Sequence, residues 1–396
     1  MVSNAFAERL SELPPESDEW RYHLAGSHVL LAAEELARGT SPLASTRIAN
    51  DHMRRVPDLA SQAILRDALL AITGQNSSAV ARRLCIYGDH LHAAAHYAVA
   101  ADVFDCAARL SARDPSLLLR SMLGRAFAFR MLRRLDDASQ TYAALRAAGL
   151  SLRIPRLELE GILGEAKASM DRGNYPGAEG ALIEVIARAR ESNDRELLGR
   201  ALTDAARLAG VRGNPVGVVE HSFESLAYVK ESRMQDRIFQ NIAFAYREMG
   251  RGRVAAMVAS HVERAAVDLD QRQNAQILLY NLAIDAGHRE DAHVYERALE
   301  RAELPPVLQA EFHEAVARDR ATNGQFDQAI AAAERMAHAA EERGLTELAA
   351  RAEAALSDLR RNVVPAVYRF RPTPVPRHAV RSLEGIDTAL KELCGV

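Results

Sequence analysis

The chain has 396 residues, of which 48% are hydrophobic, 5% aromatic and 26% charged, with a formal net charge of −3. That length exceeds what one compact core usually serves, so it implies either several domains or one elongated stack. Near-neutral charge makes no case for nucleic acid or a membrane surface as partner, and the scarcity of aromatic residues suits close-packed short helices better than sheets.

In chain order, residues 1–17 read as a loose start ending in Pro14-Pro15-Glu16-Ser17, where Ser17 offers a cap to a helix over 18–38. Two further helices are expected over 43–54 and 57–73, the second closed by Gly74. Residues 1–75 share no pattern with residues 76–361 and read as an N-terminal helical cap over the apolar face of a repeat array.

From 76 to 361 one cassette recurs: a helix with a small residue inside it, a short break, then a second helix opening on a small residue. The second helices open at Ala100, Ala138, Ala178, Val218, Ala255, Ala292 and Ala329, a spacing of 37 to 40 residues. One helix pair cannot bury its apolar face alone, so this period implies stacked copies. The first helices carry a bulky residue, a small one four later and a bulky one three later, as in Leu84, Gly88 and Leu91, in Met122, Ala126 and Phe129, and in Phe239, Ala243 and Tyr246. Those offsets fall on one helix face. The second helices follow their small residue with a larger one four later, as in Ala100 then Phe104, and Ala138 then Tyr142. Gly173, Gly213, Gly250, Gly287 and Gly324 fall where a left-handed residue would end the first helix. A capping helix is expected over 346–361.

Residues 362–396 change character. Pro365, Pro372, Pro374 and Pro376 stand among Tyr368, Arg369, Phe370 and Arg371, which predicts an extended arm. A short amphipathic helix is expected over 381–394, with Leu383, Ile386, Leu390 and Leu393 on one face.

The placement of large and small residues resembles the tetratricopeptide repeat (TPR) family, in a divergent bacterial form whose period exceeds the usual ~34. The likeness is strong in the first, second, third, fifth and seventh copies. It is weak in the fourth, where Val218 and Ser222 replace the usual Ala and aromatic residue, and in the sixth. The resemblance implies an all-α, right-handed superhelical solenoid of antiparallel helix pairs, with the first helices lining a concave groove. It places Arg120, Phe127, Arg130, Lys167, Arg207, Arg237, Asn241, Phe244 and Arg247 on the groove side, with Asn281 and Arg318 further along. Lys167, Lys230 and Lys391 are the only lysines, so nearly every cation is a guanidinium suited to two-pronged carboxylate binding. The groove therefore suits an extended or helical peptide with acidic side chains or a free carboxylate. The competing reading is a solvated face whose arginines pair with Asp and Glu of adjacent repeats. The lysine and asparagine clamp of some chaperone-binding members is not matched.

Little else suggests chemistry. His90, His92 and His96 are close in sequence, but no Glu flanks His92 and a helix break falls near Ala95, so no metal or other cofactor is expected. Cys85, Cys106 and Cys394 form no metal or redox motif, fit a reducing compartment, and Cys85 and Cys106 read as small buried hydrophobes. No phosphate loop or nucleophile elbow is present, no signal peptide is visible, and no apolar run approaches the ~18 residues of a membrane span. The expectation is a cytoplasmic, non-enzymatic scaffold or adaptor that binds a protein or peptide segment. A regulator that senses a small effector peptide, and a structural subunit that oligomerises through its C-terminal tail, are the other readings. The sequence leaves open the partner's identity, the oligomeric state and whether the arm docks in the groove.

Overall fold

A computed structural model describes residues 4–111, 113–341 and 345–395. Residues 1–3 of the expected loose start, residues 112 and 342–344 of the array, and residue 396 of the tail lie outside the described set. Among the described residues there are α-helices and short 3-10 turns but no strand, and the chain divides into two units, 1–188 and 189–396. Both are built as helical tandem repeats.

The first unit opens with α1 (Asn4–Glu12), a helix where the sequence suggested a loose start. The reason is Phe6, which is fully buried with its ring 6.2 Å from that of His23, an anchor that its mostly small or polar neighbours obscure in the sequence. Next comes α2 (Asp18–Ala37), capped by Ser17, whose Oγ accepts the Trp20 N–H at 3.2 Å. Then come α3 (Leu43–Met53) and α4 (Leu59–Thr73), the latter capped by Asp58, which accepts the Ser61 N–H at 2.7 Å. Three helix pairs complete the unit: α5 (Ser77–Ala93) with α6 (Tyr97–Leu110), α7 (Pro115–Met131) with α8 (Leu135–Leu152), and α9 (Pro155–Asp171) with α10 (Tyr175–Glu191), in which the unit boundary falls.

The second unit contains α11 (Arg195–Val211) with α12 (Pro215–Leu226), α13 (Ser232–Glu248) with α14 (Gly252–Ala265), α15 (Leu269–Ala286) with α16 (Arg289–Glu300), and α17 (Pro306–Thr322) with α18 (Phe326–Glu341). Helix α19 (Thr346–Leu359) caps them, and α20 (Val380–Cys394) ends the chain.

One turn joins every pair. The last residue before each second helix's approach is left-handed: Ala95, Arg133, Gly173, Gly213, Gly250, Gly287 and Gly324 all have φ between 58° and 77°. The next N–H reaches back five residues to close the first helix, as in His96 N to Leu91 O at 2.9 Å and Gln325 N to Arg320 O at 2.8 Å. This is the Schellman arrangement, which satisfies carbonyls that the helix end would otherwise leave without partners. Five residues after each left-handed position stands the small residue that opens the second helix, and Ala100 through Ala329 are buried at all seven places. Turn and packing contact thus repeat in one register, which is why the period is visible in the sequence.

The small residues inside first helices create close approach. Gly88 on α5 and Gly124 on α7 face the same ring, the fully buried Phe104 of α6, from two helices. A Cβ on either glycine would stand 2.6 Å from a ring carbon. The expected burial of Cys85 and Cys106 is found, and Cys394 is buried as well.

The tail is where packing adds most to what the sequence indicates. The arm contains two short 3-10 turns, Ala366–Tyr368 and Arg377–Ala379, in otherwise irregular chain. Helix α20 packs against α12 and α14, burying Leu383, Ile386 and Leu390 in their core. At about 2 kcal/mol per buried side chain, those three contribute roughly 6 kcal/mol before ordering entropy is subtracted. Leu393, expected on the same face, is 52% exposed.

Candidate functional site

The nine residues proposed for the groove fall into two sets. In the first unit, Arg120 pairs with Asp89 of α5, and Arg130 donates from Nε to Asp171 of α9 at 2.6 Å with both side chains mostly buried. Phe127 is 40% exposed and meets the His92 ring edge-on at 5.1 Å. Lys167 is partly buried on α9. Each of these arginines is therefore held by a carboxylate of a neighbouring first helix.

In the second unit, Arg207 of α11 and Arg237, Asn241 and Phe244 of α13 line one cleft of about 510 Å³. Asp204 and Glu248 lie in the same wall, with Asp204 Oδ1 3.7 Å from the Arg207 guanidinium. Helix offsets of three and four along α13 set Arg237, Asn241, Phe244 and Glu248 on one side. Arg247 lies beyond that cleft. It donates from Nε to Asp285 of α15 at 2.7 Å, and Asp285 also accepts from Arg318 of α17 at 2.6 Å. Arg318 is 7% exposed and donates to the Asn281 side chain at 2.7 Å. Burial pushes its pKa down, against the pull of Asp285.

The arm lies over this second-unit face. Phe244, Arg247, Asn281, Glu314, Arg318 and Arg351 share a cleft of about 550 Å³ with Tyr368, Phe370 and Thr373 of the arm. The Phe370 ring sits 5.4 Å from the Arg247 guanidinium carbon, within cation–π range. Thr373 donates its N–H to the carbonyl of Glu248 at 2.7 Å, satisfying a group at the end of α13 that has no partner within the helix. Tyr368 is 3% exposed. The arm then passes the α13–α14 turn, where Pro372 crowds Gly250 closely enough that a Cβ there would meet it at 2.9 Å. Beyond the turn, Asp387 of α20 accepts from the Tyr246 hydroxyl at 2.5 Å and pairs with Arg251 at 2.8 Å. Burial, with Asp387 beside it, pushes the Tyr246 pKa up.

Sequence reasoning missed Asp285, Glu314 and Arg351 as members of this face. A signal existed: Arg247 and Asp285, like Glu314 and Arg351, stand about one repeat length apart, so like positions on successive first helices carry opposite charge. For Tyr368, Phe370 and Thr373 no pattern in the chain specified where they would dock.

The histidines do not converge as a sequence group. His90 Nε2 lies 3.2 Å from Ser61 Oγ, His92 packs against Phe104 and Phe127, and His96 turns to Glu19 and His23 of α2. Among the described residues no helix is long and apolar enough to cross a membrane.

No family model and no curated protein matches the chain. Among solved structures, a "Circular tandem repeat protein with novel repeat topology and enhanced subunit contact surfaces" matches over 96% of this chain and 95% of its own, at 15% identity and a TM-score of 0.17. That score is too low for the likeness to carry any inference about what this chain binds.

Proposed function

We propose that this protein is a non-enzymatic, TPR-like scaffold of the cytoplasm that holds an extended protein or peptide segment on the first-helix face of its second unit. The observation that carries the reading is the chain's own arm: residues 368–373 lie on that face, held by an aromatic contact to Arg247 and a main-chain bond to α13. A face that accepts one extended segment has the shape to take another in its place, with the Glu248 carbonyl accepting from the incoming backbone instead of from Thr373. The adjoining cleft of Arg207, Arg237, Asn241 and Phe244 supplies guanidinium and amide donors for an acidic side chain or a free carboxylate of the partner. Three buried free thiols fit a reducing compartment.

The test is a photo-crosslinking residue placed at Asn241, with a control at the exposed Val294 on α16. A partner captured at 241, and lost when Arg207→Glu/Arg237→Glu is added without loss of helix content, supports the reading. Capture at 294 alone, or capture at 241 indifferent to the charge reversal, rejects it.

A further inference from the structure

Glu19 and His23 lie one turn apart on α2, and His96 stands just before α6. Their ligating atoms all fall within 4.8 Å of one another, the one such trio among the described residues. Both imidazoles present Nε2 to the same oxygen: His96 Nε2 is 3.4 Å and His23 Nε2 is 3.8 Å from Glu19 Oε1. The two rings meet edge to face with centroids 4.6 Å apart. His23 is fully buried, yet neither of its ring nitrogens has a hydrogen-bond partner. Each unsatisfied buried polar group costs about 1–3 kcal/mol, so an imidazole at this position needs a function or a ligand to explain it.

Zinc supplies a scale. With metal–ligand bonds of about 2.0–2.1 Å in tetrahedral geometry, ligand atoms stand roughly 3.3 Å apart. The His96–Glu19 separation already matches this, and small side-chain rotations would close the others. We propose that Glu19, His23 and His96 form a three-ligand site for zinc or a similar divalent transition metal, with the fourth position on the exposed side of Glu19. The set of two neutral imidazoles and one carboxylate is of the kind that keeps an open coordination position.

Arg9 of α1 competes for the carboxylate. Its guanidinium pairs with Glu19 Oε1 and also reaches Glu12 at 3.1 Å. Metal binding would move Arg9 onto Glu12, and the site would therefore report on the docking of α1. Removing Arg9 should accordingly tighten metal binding, an effect no adventitious surface site would show.

Zinc and cobalt titrations of the full chain test this. Wild type should bind one Zn²⁺ per chain by calorimetry, and Co²⁺ should give the visible absorption of a four- or five-coordinate nitrogen–oxygen site while quenching the adjacent Trp20. Glu19→Gln and His96→Ala should each weaken binding at least tenfold, with helix content and a cooperative metal-free melt retained as the control for folding. Arg9→Gln should strengthen it, and His52→Ala, from the stacked His28–His52 pair of the same segment, should leave it unaltered. The proposal is overturned by the absence of a saturable cobalt spectrum in wild type, by binding that survives both Glu19→Gln and His96→Ala, or by weaker binding in Arg9→Gln.

Discussion

Gly88→Ala separates close packing from helix propensity, because the two predict opposite signs. On an unencumbered helix the change should stabilise by about 1 kcal/mol. Here the new Cβ would stand 2.6, 2.7 and 2.9 Å from three carbons of the Phe104 ring. The same ring is also crowded by α7, where a Cβ at Gly124 would stand 2.6 Å from it, so the ring has little slack. Overpacking a full core costs about 1–3 kcal/mol, leaving a net loss of up to roughly 2 kcal/mol once propensity is credited. Urea unfolding followed by the fluorescence of Trp20, the chain's one tryptophan, reads the first unit directly. Phe104→Leu in the Gly88→Ala background should recover at least ~1 kcal/mol relative to additivity, because the smaller side chain vacates the contested space. A Gly88→Ala protein that is more stable than wild type would refute the close approach of α5 and α6.

Ala95→Gly and Arg133→Gly should each stabilise the first unit by about 0.5–1 kcal/mol in the same assay, since both residues hold left-handed φ values of 60° and 58° that glycine adopts without strain; an unchanged or lower midpoint counts against the turn. Asp387→Ala strips the partner from the buried Tyr246 hydroxyl and from Arg251 and should destabilise α20 by about 2 kcal/mol, read as faster hydrogen exchange over 380–394 with Trp20 unfolding unaltered. Burial, with Arg335 nearby, holds the His313 imidazole down at about 4. Its unfolded value is about 6.5, so the stabilisation from its neutral form is complete above that pH and is lost as pH falls toward 4. His313→Gln should therefore flatten the decline of the second unit's urea midpoint between pH 7 and 5, while Glu311 and Glu314 are common to both proteins; equal slopes would refute the assignment. Asp285→Asn should destabilise by about 3–5 kcal/mol because two guanidinium groups lose their shared carboxylate, whereas Arg247→Gln should cost far less; equal losses would show that the pairs are not shared.

The repeat register was legible because two physical requirements fall at fixed distance from each other. The Schellman turn needs a left-handed residue, and the second helix of the pair needs a small one five residues later, so Gly173 with Ala178 or Gly324 with Ala329 marks the pair twice. Where the turn uses Ala95 or Arg133 the first mark disappears, and the packing residues Ala100 and Ala138 alone hold the register. Helix α1 escaped notice because Phe6 is its one fully buried residue, too sparse a pattern for periodicity to detect. Of the candidate site, the resemblance to the repeat family selected Arg237, Asn241 and Phe244, and their offsets of three and four along one helix bring them into one cleft. Partners across helices, such as Asp285 for Arg247 or Glu19 for His96, depend on packing distances that no single segment encodes.

On the function proposed above, the shared carboxylate decides which cation on the second-unit face would be available to a partner. Arg318 is nearly buried and bonded to Asp285, to the Asn281 carbonyl and to the Asn281 side chain, so withdrawing it would strand several polar groups. Arg247 is different. If it turns to an incoming carboxylate, Asp285 keeps Arg318, and no buried charge is left alone. The exchange replaces one ion pair with another of similar geometry, so it adds selectivity for an acidic group more than affinity. Arg247 is also the residue over which Phe370 lies, so a segment that reaches it must first displace the arm. On that proposal, arm release and exposure of the Arg247 guanidinium would be one event, and weakening the arm's hold at Phe370 or Thr373 should raise affinity for an acidic segment without touching any residue that contacts it.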